Sequence, residues 1–272
     1  MKRLLKQTNY TDSFQLAKNA LFFFCRNPDL NIFPLLLSLI TAFLFLTGFA
    51  FLAAYPALGW VWILIGTAIA YFFLASISAY LNGILTQIVI QRLKGKNPGV
   101  VSGFKLLAKH WLQLGLWGLL NSTWGVLARW LDLPQQILER ITKRRRRLPW
   151  HAAAYFALPL MMEKNLSPLQ AMRRSSKIIG KGFRHTLSIK ALVSIFFIFA
   201  LMLISEFFGT DPVLLTKVMV LFIPFFLIVF SISAALEMIV VSAVYLNCVE
   251  KKNPEGFDKQ ILNRAFAREY ES

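Results

Sequence analysis

Asn82, Pro159, Glu163 and Glu237 stand in or beside strongly apolar runs, and they carry the polar chemistry this sequence offers. A carboxylate in a lipid-spanning helix is costly enough to need a partner or a task. Asn82 and Glu237 occupy equivalent points of two long apolar runs. Either they converge as a polar or proton-binding site, or both lie near a wet mouth where Lys and Arg head groups satisfy them. Glu163 ends a short apolar helix. It is either a functional carboxylate at a broken helix or the partner of a basic face carrying Arg173, Arg174 and Lys177. Pro159 supplies the break, because it donates no backbone hydrogen bond and frees the carbonyl of Tyr155, the kind of group that discontinuous transporter helices use as a ligand. Glu206 and Lys217 flank an outer turn. Their expected pairing is worth at most about 1 kcal/mol.

Metal, cofactor and catalytic assignments all come out as none. His110, His151 and His185 are isolated, without HxxxH or HExxH spacing or a cysteine partner. There is no Walker loop, GxSxG or CxxC, and nothing resembles a nucleotide or nucleic-acid fold. Cys25 and Cys248 both fall near segment ends on the side expected to be reducing, so no disulfide is expected. The densest charge is Arg140 with Lys143, Arg144, Arg145, Arg146 and Arg147. Beside inserted segments this run should attract anionic lipid head groups at about 1 kcal/mol per residue.

The elements that must position these residues are membrane helices. The chain has 272 residues, is 57% hydrophobic and contains 25 Phe, far more apolar than a soluble domain of this size. A net charge of +17 would suggest nucleic acid in a soluble protein. Here the cations fall in blocks between apolar segments: five before residue 33, five in 92–109, seven in 129–147, seven in 164–190 and five after 250, with Lys217 apart. The turns at 55–59 and 208–213 carry none. Cationic loops are retained in the cytoplasm, so these two turns face outward and the five blocks face inward. The basic start MKRLLK is followed by polar TNYTDSFQ rather than an apolar core, so no secretory signal is expected.

Along the chain, residues 12–27 read as an amphipathic surface helix with Asp12 and Gln15 in capping-box spacing. Residues 33–54 are apolar for a full crossing, and a second helix runs from Trp60 to about Leu93, long enough at roughly 50 Å to stand out into the cytoplasm. Residues 104–131 are apolar but rich in Trp, and residues 150–162 are too short to span the ~30 Å hydrocarbon core. Together they read as a partly inserted pair that returns to its starting side, with two full spans as the alternative. Ser167, Pro168 and Gln170 then open a basic amphipathic helix. The second hairpin comprises 185–208 and 212–249, followed by a charged, partly helical tail.

One spacing, 155 residues, relates the two halves. It places Asp12 and Gln15 on Ser167 and Gln170, and Ser76–Ala79 on Ser231–Ala234. After a one-residue slip, Lys96, Asn97 and Pro98 meet Lys252, Asn253 and Pro254. Two copies that start on one side require an even number of crossings in the insert between them. A pseudo-twofold axis along the membrane normal follows.

Trp150, Phe156, Pro159, Glu163, Pro168, Ala171 and Ser175, with the Arg-Asn-Pro-Asp run at 26–29, resemble an uncharacterised family of bacterial multi-pass membrane proteins, over about residues 13–208. The stretch is more loosely similar to membrane domains attached to some glycerophosphodiester phosphodiesterases, without the catalytic domain. The resemblance implies location and architecture and no activity. The sequence therefore predicts an all-α integral membrane protein of six apolar segments: four spans in two parallel-repeat hairpins around a middle pair that is re-entrant or spans twice. Its expected units are 1–99, 100–165, 166–254 and a cytoplasmic tail, 255–272. The expected place is the bacterial inner membrane with both termini cytoplasmic. The expected role is a non-enzymatic scaffold or transport-associated component, which other membrane proteins or further copies of the chain join. The alternative is an intramembrane lipid-modifying enzyme using Glu163 or Glu237.

Overall fold

The computed structural model describes residues 2–55, 59–123, 154–179, 199–200, 202, 206 and 212–265. Among them there is no strand. The helices are α1 (Lys2–Arg26), α2 (Ile32–Ala54), α3 (Trp60–Leu93), α4 (Val100–Leu107), α5 (residues 111–123), α6 (Ala157–Lys164), α7 (Pro168–Ile179), α8 (Pro212–Cys248) and α9 (Lys259–Ala265). Three stretches are long and apolar enough to cross a membrane: Pro28–Leu52, Trp60–Leu93 and Phe222–Cys248. They correspond to the first, second and sixth predicted segments. Of the fifth, at 185–208, only residues 199, 200, 202 and 206 are described, and the basic run at 140–147 lies outside the described residues.

α3 and α8 are the long members, 34 and 37 residues, or about 50–55 Å at 1.5 Å per residue. They pack on each other, and α2 packs on both. α1 lies against α8 and α9, and α6 touches α3, α7 and α8. The core sits where these helices share one end. Along α3 every residue from 60 to 69 is exposed, whereas Ile84, Leu85, Ile88, Val89 and Ile90 are fully buried. In α8 burial likewise concentrates beyond Ser231. The long helices thus stand bare at their outer halves and are packed at their inner ones.

One local expectation is corrected. The surface helix does not start at residue 12: α1 begins at Lys2, because no Gly or Pro interrupts residues 2–13 and the Asp12 and Gln15 positions fall inside a continuous helix. Its bundle-facing stripe is Leu16, Ala20 and Phe24, spaced one turn apart and buried. Helical Ala154 is followed by a turn at Tyr155 and Phe156, α6 starts at Ala157, and Pro159 is its third residue, so the helix is interrupted at the residue whose carbonyl the Pro159 nitrogen could not serve. The end of α3 is set before the Lys-Asn-Pro run: Gly95 at φ 78 lets the Lys96 N–H reach the Gln91 carbonyl at 3.0 Å and its own N–H the Arg92 carbonyl at 2.9 Å. These are the paired bonds of a Schellman cap. The capping box of α7 does form, with the Ser167 N–H donating to the Gln170 Oε1 at 3.3 Å.

α4 and α5 run back along α3 from its inner end. Gly103 lies against Ile88 and Ile84, and fifteen positions on, Gly118 lies against Ala75 and Ser76. The Tyr71 hydroxyl donates to the Ser122 carbonyl at 3.3 Å. At Gly118 the backbones touch: an added Cβ would lie 2.6 Å from the Ala75 oxygen and 2.8 Å from the Ser76 Cα. Gly115, one turn earlier, has open space around it. Small residues of this kind let helices approach closely in a membrane. Gly118→Ala is therefore expected to destabilise by about 1–3 kcal/mol, while Gly115→Ala changes stability by less than about 1 kcal/mol. Thermal unfolding in detergent measures both, and equal effects would contradict the close contact.

Candidate functional site

Three helix ends meet at the inner end of the bundle. α3 closes on its Schellman cap, which leaves Lys94 at the C-cap. α6 ends at Lys164 with Asn165 left-handed at φ 50, so Glu163 lies in its last turn. α8 ends at Cys248, Glu250 follows, and Lys251 is left-handed at φ 54. Carboxylates at the C-terminal ends of helices face the negative pole of the helix dipole and are unfavourable there without a cation. Lys94 supplies one: its Nζ donates to Glu163 Oε2 at 2.5 Å and to Glu250 Oε1 at 3.0 Å. Lys252 flanks Glu250 Oε2 at 3.3 Å. The side chains of Lys94, Glu163 and Glu250 are mostly buried, and that of Lys252 is exposed. Two cations and two anions make the cluster neutral.

The electrostatics follow from this geometry. Burial works to lower the Lys94 pKa, but hydrogen bonds to Glu163 and Glu250 overcome it and hold it above 10.5. Burial works to raise that of Glu250, but the hydrogen bond and charge of Lys94, with Lys252 and Glu163 adding to them, hold it below 4.5. Beneath the cluster, Phe156 and Tyr245 are fully buried edge to face, with centroids 6.0 Å apart, and the Phe156 N–H donates to the buried Ser175 Oγ at 3.1 Å. These contacts fix α6 between α7 and α8.

A second pair ties the start of α2 to the end of α3. Arg92 grips both carboxylate oxygens of Asp29, the Oδ1 at 2.9 Å, and also donates to Asn27 Oδ1 at 2.8 Å and to the Pro98 carbonyl at 3.1 Å. The Arg92 side chain is 7% exposed and that of Asp29 44%.

The sequence-predicted residues do not form one site. Glu163 meets Lys94, not Arg173, Arg174 or Lys177, which are exposed on α7. Asn82 donates to Ser78 Oγ one turn back on its own helix, at 3.2 Å. Glu237 is half-buried in α8, eleven residues or about 17 Å before that helix ends near Glu250. Pro159 is buried in α6. His110 accompanies Gln113 at 3.2 Å, while His151 and His185 fall outside the described residues, as do the side-chain pairing of Glu206 with Lys217 and the cations of Arg140 and 143–147. Cys25 is exposed and Cys248 half-buried, both unbridged. Among the described residues no His, Cys, Asp and Glu group has the arrangement of a metal site. Lys94, Arg92 and Asp29 were not singled out by type. The available signal was that each cation or anion sits within two residues of a helix end.

Among the described residues these elements define an all-α protein with three helices long and apolar enough to cross a membrane, closed at one end by paired charges. The chain belongs to a family of unknown function, DUF6159, whose sequence pattern matches residues 57–257. That range contains Arg92, Lys94, Glu163 and Glu250 and leaves out α1 and Asp29. No curated protein and no solved structure matches the chain.

Two outcomes are expected. Asp29→Ala strands the buried Arg92 with only neutral acceptors and should cost about 3 kcal/mol, whereas Arg92→Met leaves a carboxylate that water can reach and should cost nearer 1 kcal/mol. Unfolding midpoints in detergent decide the order, and the reverse ranking would refute the asymmetry. For the cluster, the lowered Glu250 pKa contributes stability that is fully present above 4.5 and lost as pH falls through it. The raised Lys94 pKa contributes stability present below 10.5 and lost as pH rises past it. The unfolding midpoint should be flat between these limits, and Glu250→Gln should weaken the acid limb selectively.

Proposed function

We propose that this chain is a multi-pass protein of the bacterial inner membrane, both termini cytoplasmic, acting as a non-enzymatic scaffold or transport-associated component. The observation that carries the reading is the state of the two carboxylates, Glu163 or Glu237, that an intramembrane enzyme would use as base. Glu163 is held by Lys94 in a neutral cluster, and Glu237 lies about 17 Å along α8 from the helix end where that cluster sits. A general base must be within hydrogen-bond reach of the proton it takes. One carboxylate is engaged in holding three helix ends, and the other stands at a different depth.

The topology is supported by the ends that meet. Asp29, Arg92, Lys94, Glu163 and Glu250 bring the start of α2 and the ends of α3, α6 and α8 to one end of the bundle, the end where cationic residues are dense. Retention of such residues in the cytoplasm supports an inward-facing position for this end. The insert therefore leaves from and returns to the same side, which fits a re-entrant pair or two full spans, and α5 lies beside α3 at the level of Tyr71 by residue 122. Internal duplication gains support from the ends of α3 and α8. Lys94 and Glu250, 156 residues apart, touch, and Gly95 and Lys251 are both left-handed at that same interval, each just before Lys-Asn-Pro. In this reading the run Arg140 to Arg147 contacts anionic head groups of the inner leaflet.

The test compares membrane lipids from cells expressing the natural chain and the Glu163→Gln, Glu237→Gln double variant at matched membrane levels. Identical lipid species by mass spectrometry are expected. A species whose abundance tracks the two carboxylates would overturn the reading in favour of the lipid-modifying enzyme.

A further inference from the structure

We infer that the outward face of α1 is buried in the head-group region of an anionic bilayer leaflet, a second lipid contact separate from the polybasic run. This rests on the membrane reading above and adds a site to it. α1 is apolar on two sides. Leu16, Ala20 and Phe24 are buried against the bundle. On the opposite side Phe14 is 71% exposed and Phe22 58%, and Leu21 is exposed with them. Positions 14, 18, 21, 22 and 25 recur at the helical spacing that puts them on one face. Such a face suits neither water nor a buried core. It suits an interface, where an amphipathic helix lies with its apolar side in the head-group and acyl boundary.

The cations specify the kind of leaflet. Lys18 is exposed between Phe14 and Leu21, on a stem long enough to lift its ammonium group to the phosphates. Arg26 is exposed at the helix end with its guanidinium 4.3 Å above the Phe22 ring. Residues 14–26 contain no Asp or Glu, so nothing on the segment repels a phosphate. Asp29 is already held by Arg92. The bilayer is also adjacent: α2 begins at Ile32 after one turn of 3-10 helix, and Ile32, Leu35 and Leu39 carry the exposed apolar surface on from α1. Aromatic side chains with flanking cations and no acid match a lipid surface better than a protein partner, which would need its own complementary face.

The experiment uses the full chain with Cys25→Ser and Cys248→Ser, reconstituted in phosphatidylcholine bilayers with and without phosphatidylglycerol. Spin labels go on single cysteines at 14, 18, 21, 22 and, on α2, 46. In the anionic bilayer, labels at 14, 21 and 22 should collide with oxygen more than with an aqueous nickel chelate, at about 5–10 Å below the phosphates, with 18 shallower. Lys18→Gln with Arg26→Gln should bring the depth in anionic bilayers back to that in neutral ones. Cys25 labelled in a Cys248→Ser chain repeats the measurement with no substitution on the face. Nickel-dominated labels at 14, 21 and 22 overturn the proposal, as do labels shielded from both reagents, which would mean a protein cover. The label at 46 separates the two readings. If it is oxygen-dominated, only the α1 proposal fails; if nickel reaches it too, the membrane reading falls as well.

Discussion

Lys94 is one ammonium group shared by two carboxylates from different helix ends, and the described bundle depends on that sharing. Between apolar helices in lipid the hydrophobic effect supplies little that is directional, because a lipid tail solvates leucine as well as a neighbouring helix does. Register must come from contacts that have one geometry. The Lys94–Glu163–Glu250 cluster is such a contact, and Arg92 with Asp29 and Asn27 is another. Each joins segments distant in sequence. Loss of the acidic partners is the costly direction, since Lys94 and Arg92 are then left buried.

The rest of the fold is arranged around those ends. Inner halves of α3 and α8 are packed, with α6 wedged between α7 and α8 through Phe156, Ser175 and Tyr245. Outer halves present Trp60, Trp62, Ile69 and Phe225 outward. Side chains of this size would be a liability in water. At a membrane interface and within hydrocarbon they are in their own solvent. Gly118, where α5 meets the α3 backbone, belongs to the same pattern: close approach replaces side-chain packing where small residues allow it.

Much of this architecture was legible in composition and pattern. The apolar runs gave α2, α3 and α8 to within a residue or two, since a hydrocarbon-length stretch without charges has few other structures open to it. The α7 start was legible because capping is local chemistry among neighbouring residues. What sequence did not yield was pairing across distance. Glu163 lies 69 residues from Lys94 in the chain, whereas Arg173 and Arg174 are a few turns away, so a local argument chose the wrong cations. α1 was shortened because a capping-box spacing inside a long helix is indistinguishable from one at its start.

Because Lys94 and Glu163 pair across the two ends of the middle segment, their contact closes a ring of chain on the bundle. The entropy of closing such a loop grows only with the logarithm of its length, about 0.6 kcal/mol for each doubling. The clasp itself is therefore nearly indifferent to the length of chain it closes, whereas the α4 and α5 contacts with α3 at Gly103 and Gly118 are not. What the ion pair asks of the middle of the chain is that it return to the same end of the bundle, where α3, α6 and α8 are clasped.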